Sequence, residues 1–275
     1  MTRRRALLAA APAAFLLAAR GASALSLPAS FAQGGYVAGR AAPGTRLALD
    51  GRPVRVSPEG HFAFGFARDA GAEAVLSVEE PGRPPERRGL DVRRREWAVQ
   101  RLTGLPERMV TPDEAALARI RAEQARLNAA RAVETRAPHF AGGLDWPARG
   151  RISGVFGSQR VLNGQPRAPH LGLDVAGPVG TPVATCAPGR VTLAADDLYF
   201  TGGTVLVEHG HGITTLYAHL SRLDVSEGQE VGRGQVIGLM GATGRVTGPH
   251  LHLGLFWGAT ALDPATALPP GREPG

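Results

Sequence analysis

The chain has no lysine; all 31 of its basic residues are arginine. A cofactor carried on a lysine amine, lipoyl or biotin among them, is therefore excluded. There is one cysteine, Cys186, so no disulfide can form within the chain even in an oxidising compartment. Cys186 follows Thr185 in an apolar run, with no Cys/His pairing evident, and reads as a small buried residue. No HExxH sequence occurs, which excludes the helix-borne zinc site whose glutamate acts as general base. The apolar run at residues 6–19 falls short of the ~20 residues that span a bilayer, and Arg20 ends it.

That run has a different use. Arg3, Arg4 and Arg5 precede it and Ala22-Ser23-Ala24 offers small residues for cleavage, so residues 1–24 read as an export signal and the mature chain begins near Leu25. Thr2-Arg3-Arg4-Arg5 also resembles a twin-arginine signal; both export routes lead to the periplasm or cell envelope, with no stable membrane span after cleavage. The absence of cysteine near the cleavage point argues against a lipid anchor.

The formal charge of +7 is unevenly placed. The signal holds four arginines and no acid, residues 25–139 sum to +4, and residues 140–275 sum to −1. No basic stripe with interleaved aromatics is present, so nucleic acid is not implied as a partner. The mildly basic front half could lean weakly toward an anionic wall, in a salt-sensitive way.

The composition predicts a mostly β protein in two parts joined by a helix. Over residues 25–106, short β-like runs at 45–49, 54–56, 61–66, 74–78 and 87–92 alternate with Gly/Pro turns. Asp50-Gly51 is a hairpin signal, and the whole predicts a small immunoglobulin-like sandwich. Phe62, Phe64 and Phe66 share one strand face and supply its core, and His61 has the opposite parity. Residues 107–139 form a connector. Thr111-Pro112-Asp113-Glu114 is a capping box opening a helix over 112–134, with Pro in the first turn. Its apolar stripe (Ala116, Leu117, Ile120, Leu127, Ala130) is thin, so the helix rests on a domain or meets a regulatory partner. Residues 140–270 read as a second, antiparallel β domain and 271–275 as a tail.

The chemistry concentrates in that second domain. His250 and His252 alternate in Pro249-His250-Leu251-His252-Leu253-Gly254, so on a strand both imidazoles share one face, roughly 6 to 7 Å apart. His170 and Asp174, in Pro169-His170-Leu171-Gly172-Leu173-Asp174, add an imidazole and a carboxylate. Two His and one Asp suit Zn²⁺ with an open fourth position. Fully extended, His170 and Asp174 would lie about 13 Å apart, so a bend is predicted at Gly172. Alternation over residues 213–220 places Thr215, Tyr217 and His219 on one face, with Tyr217 lining the groove. His209 and His211 have ligand-like spacing too, but they fall in a Gly-rich turn, where polar residues are expected anyway.

At these residues the chain resembles the lysostaphin-like (LytM-type) zinc endopeptidases that cut peptidoglycan peptides. The resemblance covers residues 144–268. It includes Gly154-Val155-Phe156-Gly157, Gly180-Thr181-Pro182-Val183, Ala187-Pro188-Gly189-Arg190-Val191, Tyr217-Ala218-His219-Leu220, Gly234-Gln235-Val236-Ile237-Gly238 and Thr247-Gly248-Pro249-His250-Leu251-His252, with the His170 to Asp174 segment. It implies a β barrel-sandwich, a Zn²⁺ held by His170, Asp174 and His252, and His219 and His250 as the unligated catalytic pair; spacing alone does not choose between His250 and His252. One imidazole would remove the proton of the attacking water and the other would stabilise the oxyanion. Arg160 and Asn163, just before the first ligand, are expected to contact peptide.

Three other readings compete. The segment at residues 228–238 resembles lipoyl and biotinyl carriers, whose function the missing lysine excludes. A facial triad for Fe(II) oxygenases usually places the first His and carboxylate two apart rather than four. A non-catalytic scaffold that binds the wall or activates an amidase typically lacks metal ligands, whereas every matching position is filled here. The expected substrate is a stem or crosslink peptide, and the front domain would bind wall, dock a partner or set access to the groove.

Overall fold

Period-two alternation is clear in the front half, in Glu73–Glu79 for instance, whereas Gly202–Glu208 and most of Ile213–Leu223 in the second half are buried on both faces. The computed structural model describes residues 25–104 and 111–270; the expected export signal at residues 1–24 and the tail at 271–275 lie outside them. The front half carries β1 (Phe31–Ala32), β2 (Tyr36–Arg40), β3 (Arg46–Leu49), β4 (Arg52–Val54), β5 (His61–Gly65), β6 (Glu73–Glu79), β7 (Glu86–Arg93) and β8 (Val99–Leu102). A five-stranded sheet, β1-β7-β6-β3-β4, faces the β2-β5 pair. Asp50, at φ +48, makes the β3–β4 turn, as the Asp-Gly pair requires. Phe62, Phe64 and Phe66 are buried between the layers.

The connector departs from its predicted form at both ends. The helix α1 spans Glu114–Arg131, and Asp113, not Thr111, caps it by accepting from the Ala116 N–H at 2.8 Å. A carboxylate three residues before an orphan N–H satisfies it directly. Beyond Arg131 tertiary bonds replace helical ones: the Thr135 hydroxyl donates to Glu208 at 2.6 Å, and the His211 N–H donates to the Thr135 carbonyl at 3.0 Å. The thin stripe is real. Ala130 is buried, and with Leu127 it packs on Leu193, Leu206 and Phe256, while Leu117 stays exposed. Arg119 and Arg126 reach Asp197 on the same sheet and Glu227 in the turn beside it.

The second half carries β9 (Arg151–Gly154), β10 (Gln159–Leu162), β11 (Gln165–Pro166), β12 (Leu173–Ala176), β13 (Pro182–Ala184), β14 (Gly189–Leu198) and β15 (Gly202–Glu208). There follow β16 (Ile213–Leu223), β17 (Glu230–Val231), β18 (Val236–Met240), β19 (His250–Trp257) and β20 (Thr260–Leu262). The main path runs β17-β14-β15-β16-β19-β12-β9, with β13 and β18 paired beside it. The architecture is thus mostly β with one connector helix. Among the described residues no helix is long and apolar enough to cross a membrane.

The two halves share one apolar cluster that runs from Val37 to Leu268. Phe64 lies 6.4 Å from Trp257, and the Arg52 guanidinium sits 3.4 Å over the same indole. Arg95 donates to the buried Asp263 at 2.8 Å. One strand also crosses over. The sandwich is expected to continue to residue 106, but β8 leaves it and pairs in parallel with β10, Gln100 opposite Arg160. Trp97 anchors the crossing against Phe156 (5.9 Å) and Arg95 (4.5 Å). It lies on the Gly157 backbone, where any Cβ would come within 2.0 Å of the indole.

Candidate metal centre

Three strands bring the ligand set together through their register. In the β12–β19 ladder Asp174 faces His252, and in the β16–β19 ladder Ala218 faces His252. Directly opposed residues share a face, so Asp174, His252 and Ala218 form one row, while Leu173, Leu253 and Tyr217 form the row on the other side. The chain bends at Gly172, as predicted, and so carries His170 back over Asp174. A side chain at Gly172 would collide with His252 Cε1 at 2.5 Å.

His219 reaches this face by breaking the alternation. Its φ is +65, uncommon for a residue with a Cβ and costing on the order of 1–3 kcal/mol. The β15–β16 register shifts there, between the pairs Gly203–Leu220 and Val205–Tyr217. The bulge turns His219 to the side of Asp174 and His252 and leaves Tyr217 on the other. Tyr217 therefore does not line the groove, contrary to the alternation argument, which assumes an unbroken strand. It is fully buried, its hydroxyl accepting from the Cys186 N–H at 2.7 Å and the Thr215 hydroxyl at 2.8 Å.

The ligand atoms form a tight triangle. His170 Nε2 is 3.0 Å from Asp174 Oδ1 and 3.0 Å from His252 Nδ1, and His252 Nδ1 is 2.8 Å from Asp174 Oδ1. Tetrahedral Zn–N and Zn–O bonds of about 2.0–2.2 Å put ligand atoms about 3.3 to 3.6 Å apart. The set therefore fits such an ion after spreading by a few tenths of an ångström. The His170 Nδ1–H donates to the Val155 carbonyl at 3.0 Å, which turns the Nε2 lone pair inward, the usual outer-shell arrangement of a metal-binding imidazole. Burial raises the Asp174 pKa, but hydrogen bonds with His170 and His252 more than offset it and hold the carboxyl well below the usual range. Burial lowers that of His252, with Asp174 opposing.

His219 and His250 stand beside the triangle, their rings 4.7 Å apart. The His219 Nδ1–H donates to the Thr243 carbonyl at 2.8 Å and the His250 Nδ1–H to the Gly248 carbonyl at 2.9 Å, so each offers Nε2 as a proton acceptor. His250 Nε2 is 3.9 Å from Asp174 Oδ1. Burial first, then His252 and His250, push the His219 pKa down to about 3. His219 is thus neutral at neutral pH.

A family model for peptidase family M23 matches residues 168–264, which include all five of these residues. A crystal structure from Pseudomonas aeruginosa, assigned to peptidase M23, is 30% identical with a TM-score of 0.65, covering 86% of this chain and 93% of that one. The chain belongs to peptidase family M23. The chain is 49% identical over 107 residues to the peptidoglycan DD-endopeptidase ShyA of Vibrio cholerae, covering 38% of this chain and 25% of that protein. It is 41% identical over 104 residues to the DD-carboxypeptidase/endopeptidase Mpg of Neisseria meningitidis, covering 38% and 24%. These matches span about a quarter of each curated relative's length.

Around the M23 centre lies a cleft of about 160 Å³ lined by Asp174, His219, His250, Arg160, Arg245 and Gln100 with Ser153, Leu162, Val246 and Thr247. Arg160 stands where a substrate contact is expected. Asn163 is not in the lining; at φ +47 it forms the two-residue β10–β11 turn with Gly164, a position Asn tolerates better than most residues. Gln100 and Arg245 escape the sequence reading. Gln100 arrives through the parallel β8–β10 pairing, which has no local signature, whereas Arg245 stands two residues before the Thr247 to His252 motif, close enough to be suspected.

His209 and His211 are structural. His209 bonds the Pro188 carbonyl at 2.8 Å and the Thr215 hydroxyl at 2.7 Å, and His211 Nε2 bonds the Arg136 carbonyl at 3.1 Å. Cys186 is likewise inert, its thiol pushed up to about 12 by burial. Burial pushes His209 down to about 4. A folded pKa below the unfolded value of about 6.5 means this stability is complete above pH 6.5 and is lost as pH falls toward 4. Urea unfolding at pH 7 and pH 4 is expected to show about 3 kcal/mol lost from this group. His209→Gln should flatten that part of the slope, and an unchanged slope would refute the assignment.

Proposed function

We propose that this M23 protein is an exported, zinc-dependent endopeptidase that hydrolyses stem or crosslink peptides of peptidoglycan in the periplasm or cell envelope. The observation that carries it is the pairing of a His170–Asp174–His252 triangle with edges of 2.8–3.0 Å and two further imidazoles tethered by carbonyls. The names of ShyA and Mpg support the substrate class. Zinc in this set would supply Lewis acidity and a bound water of pKa near ~7. The protein's own residues do the rest. His170, Asp174 and His252 would hold the ion; His219 and His250 together take a proton at Nε2 from the attacking water and return one to the departing amine. A protonated imidazole of the pair stabilises the tetrahedral oxyanion. We further assign the front half a part in setting access, because Gln100 of β8 lines the cleft.

Digestion of purified sacculi tests this reading. The mature protein should release soluble peptides whose masses identify the bond cut, and a chelator should stop the release until zinc is restored. Wall binding without products in any sample would overturn it in favour of a non-catalytic scaffold.

A further inference from the structure

His219 keeps a left-handed backbone, and such strain persists only where the surroundings over-determine it. Those surroundings are the turn Tyr199-Phe200-Thr201 between β14 and β15 and the segment around Thr243 that packs against it. The His219 N–H donates to the Thr201 carbonyl at 2.8 Å, and the His219 Nδ1–H donates to the Thr243 carbonyl at 2.8 Å. Thr243 is itself pinned to both strands: its Oγ1 accepts the Gly203 N–H at 3.0 Å and donates to the Leu220 carbonyl at 2.9 Å. There is no slack between these pieces. A Cβ at Gly202 would lie 2.1 Å from Thr243 Oγ1, and one at Gly244 would lie 2.6 Å from the Phe200 carbonyl oxygen. Both the backbone and the ring of His219 thus depend on where this turn sits. The turn is gripped from outside by α1. Glu123 Oε2 accepts the Tyr199 N–H at 2.7 Å, and Arg119, which donates to Glu123 Oε1 at 2.6 Å, also donates to the Asp197 carbonyl at 2.6 Å. The Glu123 side chain is only 17% exposed, so little water competes for the Tyr199 N–H. The grip comes from a helix outside residues 168–264, the part of the chain that matches the M23 family.

We propose that Glu123 is a positioning residue: by holding the β14–β15 turn from the connector helix, it sets the place of the His219 imidazole. Its effect on rate rests on the hydrolase reading of the same centre; its effect on the ring does not. Only two hydrogen bonds and the three residues of the turn separate Glu123 from the His219 backbone. A displacement of about 1 Å caused by a change far from the reacting atoms is enough to cost about 100-fold in rate. Glu123 acts through the turn and takes no part in proton transfer. The connector helix is therefore more than a tether, because the seat of a catalytic imidazole is completed from its surface.

The mature protein is compared with Glu123→Ala, Glu123→Gln and Arg126→Ala. Alanine is the better helix former, so α1 survives the first change. Glutamine loses the charge but keeps an acceptor for the Tyr199 N–H. Arg126→Ala breaks a different contact of α1, to Glu227, without touching the turn. In nitrogen–proton correlation spectra of the imidazoles, the His219 Nδ1–H is identified by its absence from His219→Ala. It should be protected from exchange in the native protein, Glu123→Gln and Arg126→Ala, and should broaden or vanish in Glu123→Ala. With zinc-loaded protein and a synthetic crosslink peptide, Glu123→Ala should lower kcat by on the order of 10-fold with KM and zinc content unchanged, and Glu123→Gln should recover most of it. An unaltered His219 signal in Glu123→Ala, or an equal loss in Arg126→Ala, would overturn the positioning role. A signal that follows Glu123 in a protein that cuts no peptide would uphold the positioning role and overturn the hydrolase.

Discussion

Asp174→Ala is expected to strip the protein of zinc and of wall hydrolysis together. The carboxylate supplies the one negative charge of the ligand triangle, touching His170 Nε2 at 3.0 Å and His252 Nδ1 at 2.8 Å. Outer-shell partners of a metal site are worth 10- to 100-fold in affinity, so loss of a direct ligand should cost at least about 100-fold. Two imidazoles would remain beside a cleft that Arg160 lines. The variant, dialysed beside the native protein, should contain less than stoichiometric zinc by elemental mass spectrometry and release no peptides from sacculi. Asp174→Asn, of nearly the same shape, should fail in the same way while keeping the fold by circular dichroism. Full zinc content in either variant would show that the ion is held elsewhere.

His219→Ala should separate metal binding from chemistry. Its ring is not one of the three groups placed to hold an ion, so on the proposed assignment zinc content is expected to stay at the native level. A positioned acid–base group contributes about 10²- to 10⁴-fold, and kcat should fall by that order with KM little changed. A loss of zinc equal to the loss of activity would instead make His219 a ligand. The backbone at φ +65 would persist in alanine, so the comparison removes the imidazole and leaves the bulge in place.

Much of the site and its scaffold is legible in the amino-acid sequence. The parity of His250 and His252, the bend needed between His170 and Asp174, and the aromatic face of Phe62, Phe64 and Phe66 are local properties of strands and glycine. The failures have a common cause, which is a local pattern carried past the point where tertiary contacts override it. Alternation extended through His219 puts Tyr217 in the groove, whereas the left-handed backbone at His219 reverses the parity between the two residues. Nearness to the first ligand assigns Asn163 to substrate, although Asn-Gly is also a two-residue turn. A capping box can be written from Thr111, but it is Asp113 that reaches the open N–H.

The amino-acid sequence by itself determined the chemistry: which side chains could hold an ion, that no lysine could carry a cofactor, and that short strands would build both halves. These properties come from residue type and from spacings of two to four, which the covalent chain imposes. The tertiary structure alone decided which face each residue serves and what surrounds the candidate metal site. Gln100 meets Arg160 across a parallel pairing of segments some sixty residues apart, and His219 turns toward Asp174 through a register shift between strands. Interactions of that kind depend on packing between distant segments, so no local pattern could have announced them.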